Sequence, residues 1–414
     1  HMPVTIKQGS GATTHIGLGT DVTLGYNGTT AILVRDVGPK VFYVDPSASP
    51  FTLLSEKAGS KVATNPRFEW YEKGLRPKTS ALSSSVNNTT TDIPVVTGTG
   101  LYFQKGDLVL NPSTAEVMKV ASATADVVVV VRGIAGTTGA TSTSTNDSLF
   151  VIGSAFSEGQ DVSTPDEWQS VQVSNFTQIF RRPFGATRTR EGSESYFGGN
   201  RETQRAEKAI EHAIDIERAM LFGYGSEDST TQEGSLGAGA PLRTTRGFVN
   251  FATGFGNGSM QVKDAGGTLT EAEMETWLAD VFSKTSATDS RTLFAAAGVI
   301  SVIDQLAAAR LQTVPSDKTY GIAVTQWLTS HGTLNIVKHR LLENGPGGAQ
   351  GWGSWALAVD VSKLMYRPFS NGATKLLMDR QGPGMDGWID EYLTEAGLQV
   401  STPEVHGILK NVTA

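Results

Sequence analysis

Residues 199–225 read GNRETQRAEKAIEHAIDIERAMLFGYG and hold the longest helical pattern in the chain. Ala206, Ala209, Ala213, Ile216 and Met220 recur at spacings of three and four, so they fall on one stripe. Ile210, Ile214 and Leu221 widen that stripe. Facing away are Arg201, Glu202, Arg205, Glu207, Lys208, Glu211, Asp215, Glu217 and Arg218. Glu202–Arg205, Lys208–Glu211 and Asp215–Arg218 set opposite charges three apart, each pair stabilising a helix by ~0.2–0.5 kcal/mol. Asn200 suits the N-cap, and Gly223 and Gly225 stop the run. At ~1.5 Å per residue the helix is a rod of roughly 34 Å. On pattern alone it is an amphipathic core helix with one solvated face.

The bulk numbers narrow the class. At 414 residues the chain can hold about two or three domains and a sizeable core. Its net charge of −7 argues against a dedicated nucleic-acid binder. With no cysteine, disulfide frameworks, zinc ribbons and thiol chemistry are excluded. Charged residues make up only 18%, and 46 glycines accompany Ser/Thr/Asn runs, which suits a loop- and strand-rich protein. His1-Met2 reads as the scar of a cleaved tag, and neither a signal peptide nor a run of ~18 apolar residues is found, so no membrane partner is expected.

Outward from the helix, the chain divides by pattern. Residues 3–60 are Gly- and Thr-rich with short β-prone pieces, Ala31–Arg35 and Lys40–Val44, and read as an extended arm ending in the apolar anchor Pro50-Phe51-Thr52-Leu53-Leu54. Phe68-Glu69-Trp70 begins an extended segment, and 79–91 reads as a linker. Residues 93–154 read as a small all-β module with strands at Leu101–Phe103, Asp107–Leu110, Glu116–Ala121, Asp126–Arg132 and Leu149–Ile152. Val127–Val131, a continuous apolar run, is expected to be buried on both faces. Residues 167–180 are extended again, and Arg181, Arg182, Arg188 and Arg190 follow with little local acid.

Beyond the helix, Leu242–Phe251 reads as a returning strand and Asn257–Gly267 as a loop. Thr270-Glu271-Ala272-Glu273 is a capping box opening a helix to about 285. A strand at Thr292–Ala297, a helix at 299–312, a hairpin of Ile322–Leu328 with Thr333–Lys338, and a strand at Trp355–Asp360 complete an α/β unit. The tail is β: Trp388–Tyr392, Leu398–Ser401, and Val405–Val412 pairing back after Pro403. The fold class is α+β.

No catalytic signature emerges. The six histidines form neither HExxH nor a metal-spaced cluster, so no metal and no cofactor are expected. There is no G-x-S-x-G elbow and no Walker A, and Gly254–Gly258 resembles a phosphate loop in composition alone. Glu207/Glu211 is a solvated helix face, not an acid/base pair. Nothing marks an enzyme.

The order of parts resembles the HK97-type major capsid fold of tailed phages, and locally the SU10-like major capsid protein family. The resemblance rests on Pro50–Leu54 and Phe68-Glu69-Trp70. It continues in Gly106-Asp107 with Glu116, Arg132-Gly133 with Gly136-Thr137, and Asn175–Phe180. In the tail, Asp390–Leu393, Leu398-Gln399-Val400 and Val405-His406-Gly407 carry it. It implies an N-terminal arm (1–60) and an extended E-loop (61–198) carrying the β insertion (93–154). It also implies a P domain, made of the spine helix with its return strand (199–264) and a β-sheet (362–414), and an α/β A domain (265–361). The function implied is a structural shell protein assembling into hexamers and pentamers of an icosahedral capsid around double-stranded DNA. Expected partners are copies of itself, with decoration, scaffold and portal proteins, and packaged DNA held without sequence reading. The place implied is the virion capsid, with assembly in the bacterial cytoplasm. A tail, decoration or adhesion protein is the alternative.

Contacts between subunits are then expected at Phe51, Leu54, Trp70, Phe176 and Phe180, apolar residues of the arm and E-loop that lack a local core. Arg181, Arg182, Arg188 and Arg190 are expected to pair with the Glu207/Glu211/Asp215 face of an adjacent copy. Some shells of this fold form Lys–Asn isopeptide bonds. Lys73, Lys78, Lys105 and Asn411 are too ordinary a set to signal one, and no crosslink is expected.

Overall fold

The computed structural model describes residues 5–8, 12–15, 50–142, 147–159, 167–192, 201–228, 241–253, 259–284, 288–307, 325–343, 352–370 and 372–413. The β-prone pieces at Ala31–Arg35 and Lys40–Val44, the cap expected at Asn200 and the loop at Gly254–Gly258 lie outside these residues. The chain forms two compact units, Glu69–Val173 and the remainder.

Elements run in this order. A hairpin pairs β1 (Thr5–Gln8) with β2 (Ala12–His15), and α1 (Pro50–Ala58) and β3 (Arg67–Glu72) follow. Next come β4 (Thr79–Ala81), β5 (Asp92–Pro94), β6 (Asp107–Asn111), β7 (Glu116–Ala123), β8 (Val127–Val131) and β9 (Ser148–Ser154). Strands β10 (Val171–Phe176) and β11 (Gln178–Thr187) lead through the short α2 (Arg188–Gly192) to α3 (Arg201–Phe222). A hairpin of β12 (Ser226–Asp228) and β13 (Leu242–Thr244) precedes β14 (Gln261–Thr268) and α4 (Glu271–Phe282). Then come β15 (Ser290–Ala295), α5 (Ala297–Ala307), β16 (Thr325–Leu328), β17 (Thr333–Lys338), α6 (Arg340–Glu343) and β18 (Ala356–Val359). The chain closes on β19 (Leu364–Pro368), β20 (Lys375–Leu377), β21 (Gly387–Val400) and β22 (Gly407–Thr413).

In the larger unit a six-stranded sheet runs β14-β22-β18-β15-β17-β16. Its central strands β15 and β18 are almost wholly buried because their apolar runs are covered on both faces. On one face Met274, Trp277, Leu278 and Val281 of α4 and Val299, Val302 and Ile303 of α5 pack against Leu293, Ala295, Ala356 and Leu409. On the other, Phe294 meets the ring of Phe51 edge-on, 5.6 Å between centroids. The capping box is present as expected: Glu273 N–H donates to Thr270 Oγ1, and Thr270 N–H donates back to Glu273. A second sheet, β11-β21-β19 with β20, runs beside α3, which packs on β11 and β21.

Several sequence expectations change. The loop expected at 257–267 contains β14, parallel to β22, with a register shift at Asp264/Gly267 where Gly266 and Gly267 take positive φ. Pairing with β22 supplies the backbone hydrogen bonds that these poor strand formers would not secure alone. Strand β22 lies in the α/β sheet rather than against the closing strands. The two strands expected at 388–392 and 398–401 are one fourteen-residue β21. Its Gly397 lets the chain through where a Cβ would sit 2.7 Å from the Phe68 ring and from Phe176 O. Leu242–Phe251 yields a three-residue strand and then a 3₁₀ turn, Phe248–Thr253.

The smaller unit holds a six-stranded antiparallel sheet, β4-β9-β6-β7-β8-β5, together with the β3–β10 pair. The linker expected at 79–91 contributes its edge strand β4 and the bridge Val86↔Ser142. Leu101–Phe103, expected as a strand, falls in a 3₁₀ turn over Thr99–Tyr102 that follows Gly98 at φ 82°. Val128 and Val130 are buried while Val131 is 54% exposed, so β8 is buried on one face only. Valine's β-branching suits a strand whichever way it faces, so the run did not reveal the burial.

Candidate functional site

The most tightly tied point of the larger unit is the Glu217 carboxylate, on α3 with no exposed side-chain surface. Pro50 starts α1, and the next two backbone N–H groups need an acceptor. Glu217 supplies it: Oε1 accepts Phe51 N–H at 2.9 Å, and Oε2 accepts Thr52 N–H at 2.8 Å and the Thr52 hydroxyl. A negative group at a helix N-terminus also complements the helix dipole. His339, just after β17, places Nε2 2.7 Å from Glu217 Oε1, also without exposure. Three distant segments therefore meet on one carboxylate.

A second knot holds the start of α3. Asp390 on β21, fully buried, accepts from Arg201 Nε at 2.8 Å, Arg205 Nε at 3.0 Å and Asp379 N–H at 3.1 Å. Burial alone would push its pKa up. Hydrogen bonds from Arg201, the Asp379 backbone and Arg205 outweigh that and hold it at about 2. The same bond to Asp390 raises the Arg201 pKa further, and its guanidinium lies 4.8 Å over the Trp388 ring.

A third knot lies under the α/β sheet. Arg291, 1% exposed, donates to Val405 O at 3.1 Å and Val281 O at 3.3 Å, and lies 3.4 Å from Asp360. Asp360 N–H donates to His406 Nδ1 at 3.1 Å. Burial drives the His406 pKa down to about 3, so the ring is neutral and can accept. In the smaller unit Glu116 and Arg132 form a two-point pair, 2.7 and 2.6 Å. Arg132 also donates to the carbonyls of Asn87, Thr90 and Ala140. Burial raises the Glu116 pKa, yet Arg132 and the backbone N–H groups of Ala140 and Gly133 bring it below the usual range.

The residues expected at subunit contacts divide in two. Phe51 is fully buried in its own chain, against Phe248 and Phe294, so it has no surface left to offer another copy. Phe180 is 6% exposed, and Trp70, whose Nε1 donates to Glu72 at 2.9 Å, is 8% exposed. Leu54, Phe176 and Glu207 remain half-buried. Arg182 does meet Asp215, with Glu211 at 3.9 Å, but these acids belong to its own chain. Alternation along β11 explains this: Phe180, Arg182, Phe184 and Ala186 share one face of the strand, and α3 packs on β11. Arg181 points the other way and pairs with Glu391 at 2.5 Å. Arg188 lies 3.9 Å from exposed Asp386, and Arg190 is exposed.

Glu217, read in the sequence as part of a solvated face, is the residue that pattern reasoning missed. Its signal was the Pro50 helix start, which leaves N–H groups in search of an acceptor. Asp390 and Asp360 gave no local signal.

Each buried carboxylate is committed to fixed donors. The groove lined by Met274, Leu278, Leu306 and Trp327 also carries Glu271, Glu275, Ser330 and His331. Among the described residues no group of three or more His, Asp or Glu could hold a metal ion, and no helix is long and apolar enough to cross a membrane. The buried knots hold distant segments of the chain together, an arrangement that suits a structural protein.

The SU10 major capsid protein family matches residues 17–413, and the chain belongs to that family. It is 24% identical over 355 residues to a major capsid protein of Pseudomonas phage PaMx41, covering 84% of this chain and 82% of that one. Among solved structures it is similar to the capsid of a native GTA particle, with TM-score 0.49, 11% identity, and 96% of this chain and 100% of that one covered. It is likewise similar to Gordonia phage Cozz, with TM-score 0.47, 11% identity, and 96% and 97% covered. The protein is thus a phage major capsid protein, a structural component of the virion capsid and not an enzyme. A tail or decoration role is not favoured.

Proposed function

We propose that the chain assembles with copies of itself into hexamers and pentamers of an icosahedral shell enclosing double-stranded DNA, in the HK97-like arrangement. In this reading 1–60 is the N-terminal arm and 61–198 the E-loop with its insertion at 93–154. Residues 199–264 and 362–414 form the P domain around the spine helix α3, and 265–361 the A domain. The observation that carries it is the excursion from Glu69 to Val173, which leaves and rejoins the larger unit on the paired strands β3 and β10 and forms a unit of its own. Such an excursion suits a segment that engages neighbours.

Contacts between subunits fall to residues with surface to spare, Leu54, Phe176, Arg181, Arg188, Arg190 and Glu207. With net charge −7, DNA is enclosed without specific reading. Decoration, scaffold and portal proteins are the further partners, and assembly takes place in the bacterial cytoplasm. Electron microscopy of the purified protein tests this. Closed shells or capsomers are expected, and rods or isolated trimers would overturn it.

A further inference from the structure

The sheet of the smaller unit is apolar on both faces. One face packs a core of residues such as Val109, Met118 and Val130. On the other, Phe150, Ile152 and Val131 remain 44%, 48% and 54% exposed in the whole chain. The register sets half-buried Leu110 opposite Phe150 on one side and Val117 on the other, so these side chains form a continuous row. Lys119 stands across from Val131 and brings a charge to the neighbouring row. A sheet with one solvated face normally alternates apolar-in and polar-out. A contiguous exposed apolar face marks an interaction surface.

The size of the face selects its occupant. Strands β9, β6, β7 and β8, spaced ~4.8 Å apart with about five residues of ~3.3 Å each, give a face of roughly 300 Å². A specific complex formed from dilute solution buries about 800 Å² on each partner. This face is too small to capture a free protein. It is large enough to add to a contact already made, where the neighbour is held at millimolar effective concentration. In the shell of a major capsid protein that neighbour is another copy of the same chain.

We infer that the open face of the β6–β9 sheet seats against a neighbouring copy in the assembled shell. This rests on the self-assembly reading above. The contact forms late: the face stays open in the unassembled protein and closes when other contacts bring the copies together.

Hydroxyl-radical labelling of Phe150, in shells assembled from the purified chain alone and in unassembled protein, tests the contact. Labelling is expected to fall several-fold in shells. Equal labelling in both would overturn the inference. The double substitution Val131→Glu/Ile152→Glu adds a second reading. Both positions are about half exposed, and a Glu at 131 stands across from Lys119, so the unassembled protein should unfold at the same denaturant concentration as wild type. The variant's shells should come apart at lower denaturant than wild-type shells, and equal shell stability would count against the contact. Failure of the wild-type chain to form any shell would instead overturn the assembly reading beneath it.

Discussion

His339 Nε2 and Glu217 Oε1 lie 2.7 Å apart with neither side chain exposed, and the same carboxylate accepts the first free N–H groups of α1. Removing the carboxylate strands the Phe51 and Thr52 N–H groups, the Thr52 hydroxyl and His339 Nε2 at once. Glu217→Ala should therefore cost about 3–5 kcal/mol of stability. Glu217→Gln keeps one acceptor oxygen and should cost clearly less. Denaturant unfolding of the unassembled protein measures both. Equal, small losses would mean that α1 is held by Phe51 packing alone.

Asp390 makes stability depend on acid pH. Its folded pKa of about 2 lies below the ordinary 3.8, so the folded state binds the proton less readily than the unfolded chain. The contribution is full above about pH 4 and is lost as pH falls through about 2, amounting to ~2 kcal/mol. Glu116 and Asp360 are lowered too, so acid sensitivity of the whole protein would not isolate Asp390. Comparison with Asp390→Asn does. The gap between wild type and variant should narrow between pH 5 and pH 2. A gap constant across that range would show that the Arg201–Asp390–Arg205 knot is not what titrates.

How much of this was legible follows from the range of the forces. The long helix, the capping box and most strands of the α/β unit were readable because period and caps are local. Parallel pairing of β14 with β22 was not, since it joins segments about 145 residues apart and Gly266-Gly267 reads as a turn. The charged residues of α3 were legible as a face but not in their destinations. Arg201, Arg205 and Glu217 look alike on a helical wheel, and only the position of β21 and α1 decides which partner each one meets. The sequence likewise suggested that Arg181 and Arg182 were spare charges for a neighbour, when Glu391 of β21 and Asp215 of α3 supply their acids within the chain.

Arg132 gathers the Asn87–Thr90 and Ala140 segments onto Glu116 through a planar fork. Lysine carries the charge without the fork. Arg132→Lys should therefore destabilise the smaller unit nearly as much as Arg132→Ala, by about 2–4 kcal/mol. Limited proteolysis within 133–140 reads this directly. Cleavage should rise in both variants, and protection retained in Arg132→Lys would show that charge alone suffices.

Gly247 sits where the chain after β13 crosses the end of α3, its N–H donating to Gly223 O at 2.8 Å. A Cβ there would lie 2.6 Å from Gly223 N and 2.7 Å from Ala219 O, both backbone atoms that cannot rotate away. Gly247→Ala should cost about 3 kcal/mol or more, although alanine is otherwise the mildest substitution. Gly298, with open space around its Cβ position, is the control, and Gly298→Ala in helix α5 should be neutral or stabilising by up to about 1 kcal/mol. Thermal unfolding of the two variants compares them, and similar midpoints would refute the crossing as a steric limit.

The arginines at 181–190 separate folding from assembly. Arg181 and Arg182 have acids of their own chain beside them, so reversing either places like charges together and should lower the unfolding midpoint of the unassembled protein. Arg188 has only an exposed partner at 3.9 Å, and Arg190 is exposed, so Arg188→Glu/Arg190→Glu should leave that midpoint unchanged. If these two arginines meet acids of a neighbouring copy, the double variant should form fewer shells by light scattering and electron microscopy, and the defect should shrink at high salt as wild-type assembly weakens too. Wild-type assembly by a normally folded double variant would remove Arg188 and Arg190 from the interface and leave the half-buried apolar residues Leu54 and Phe176 to carry the contacts of that region.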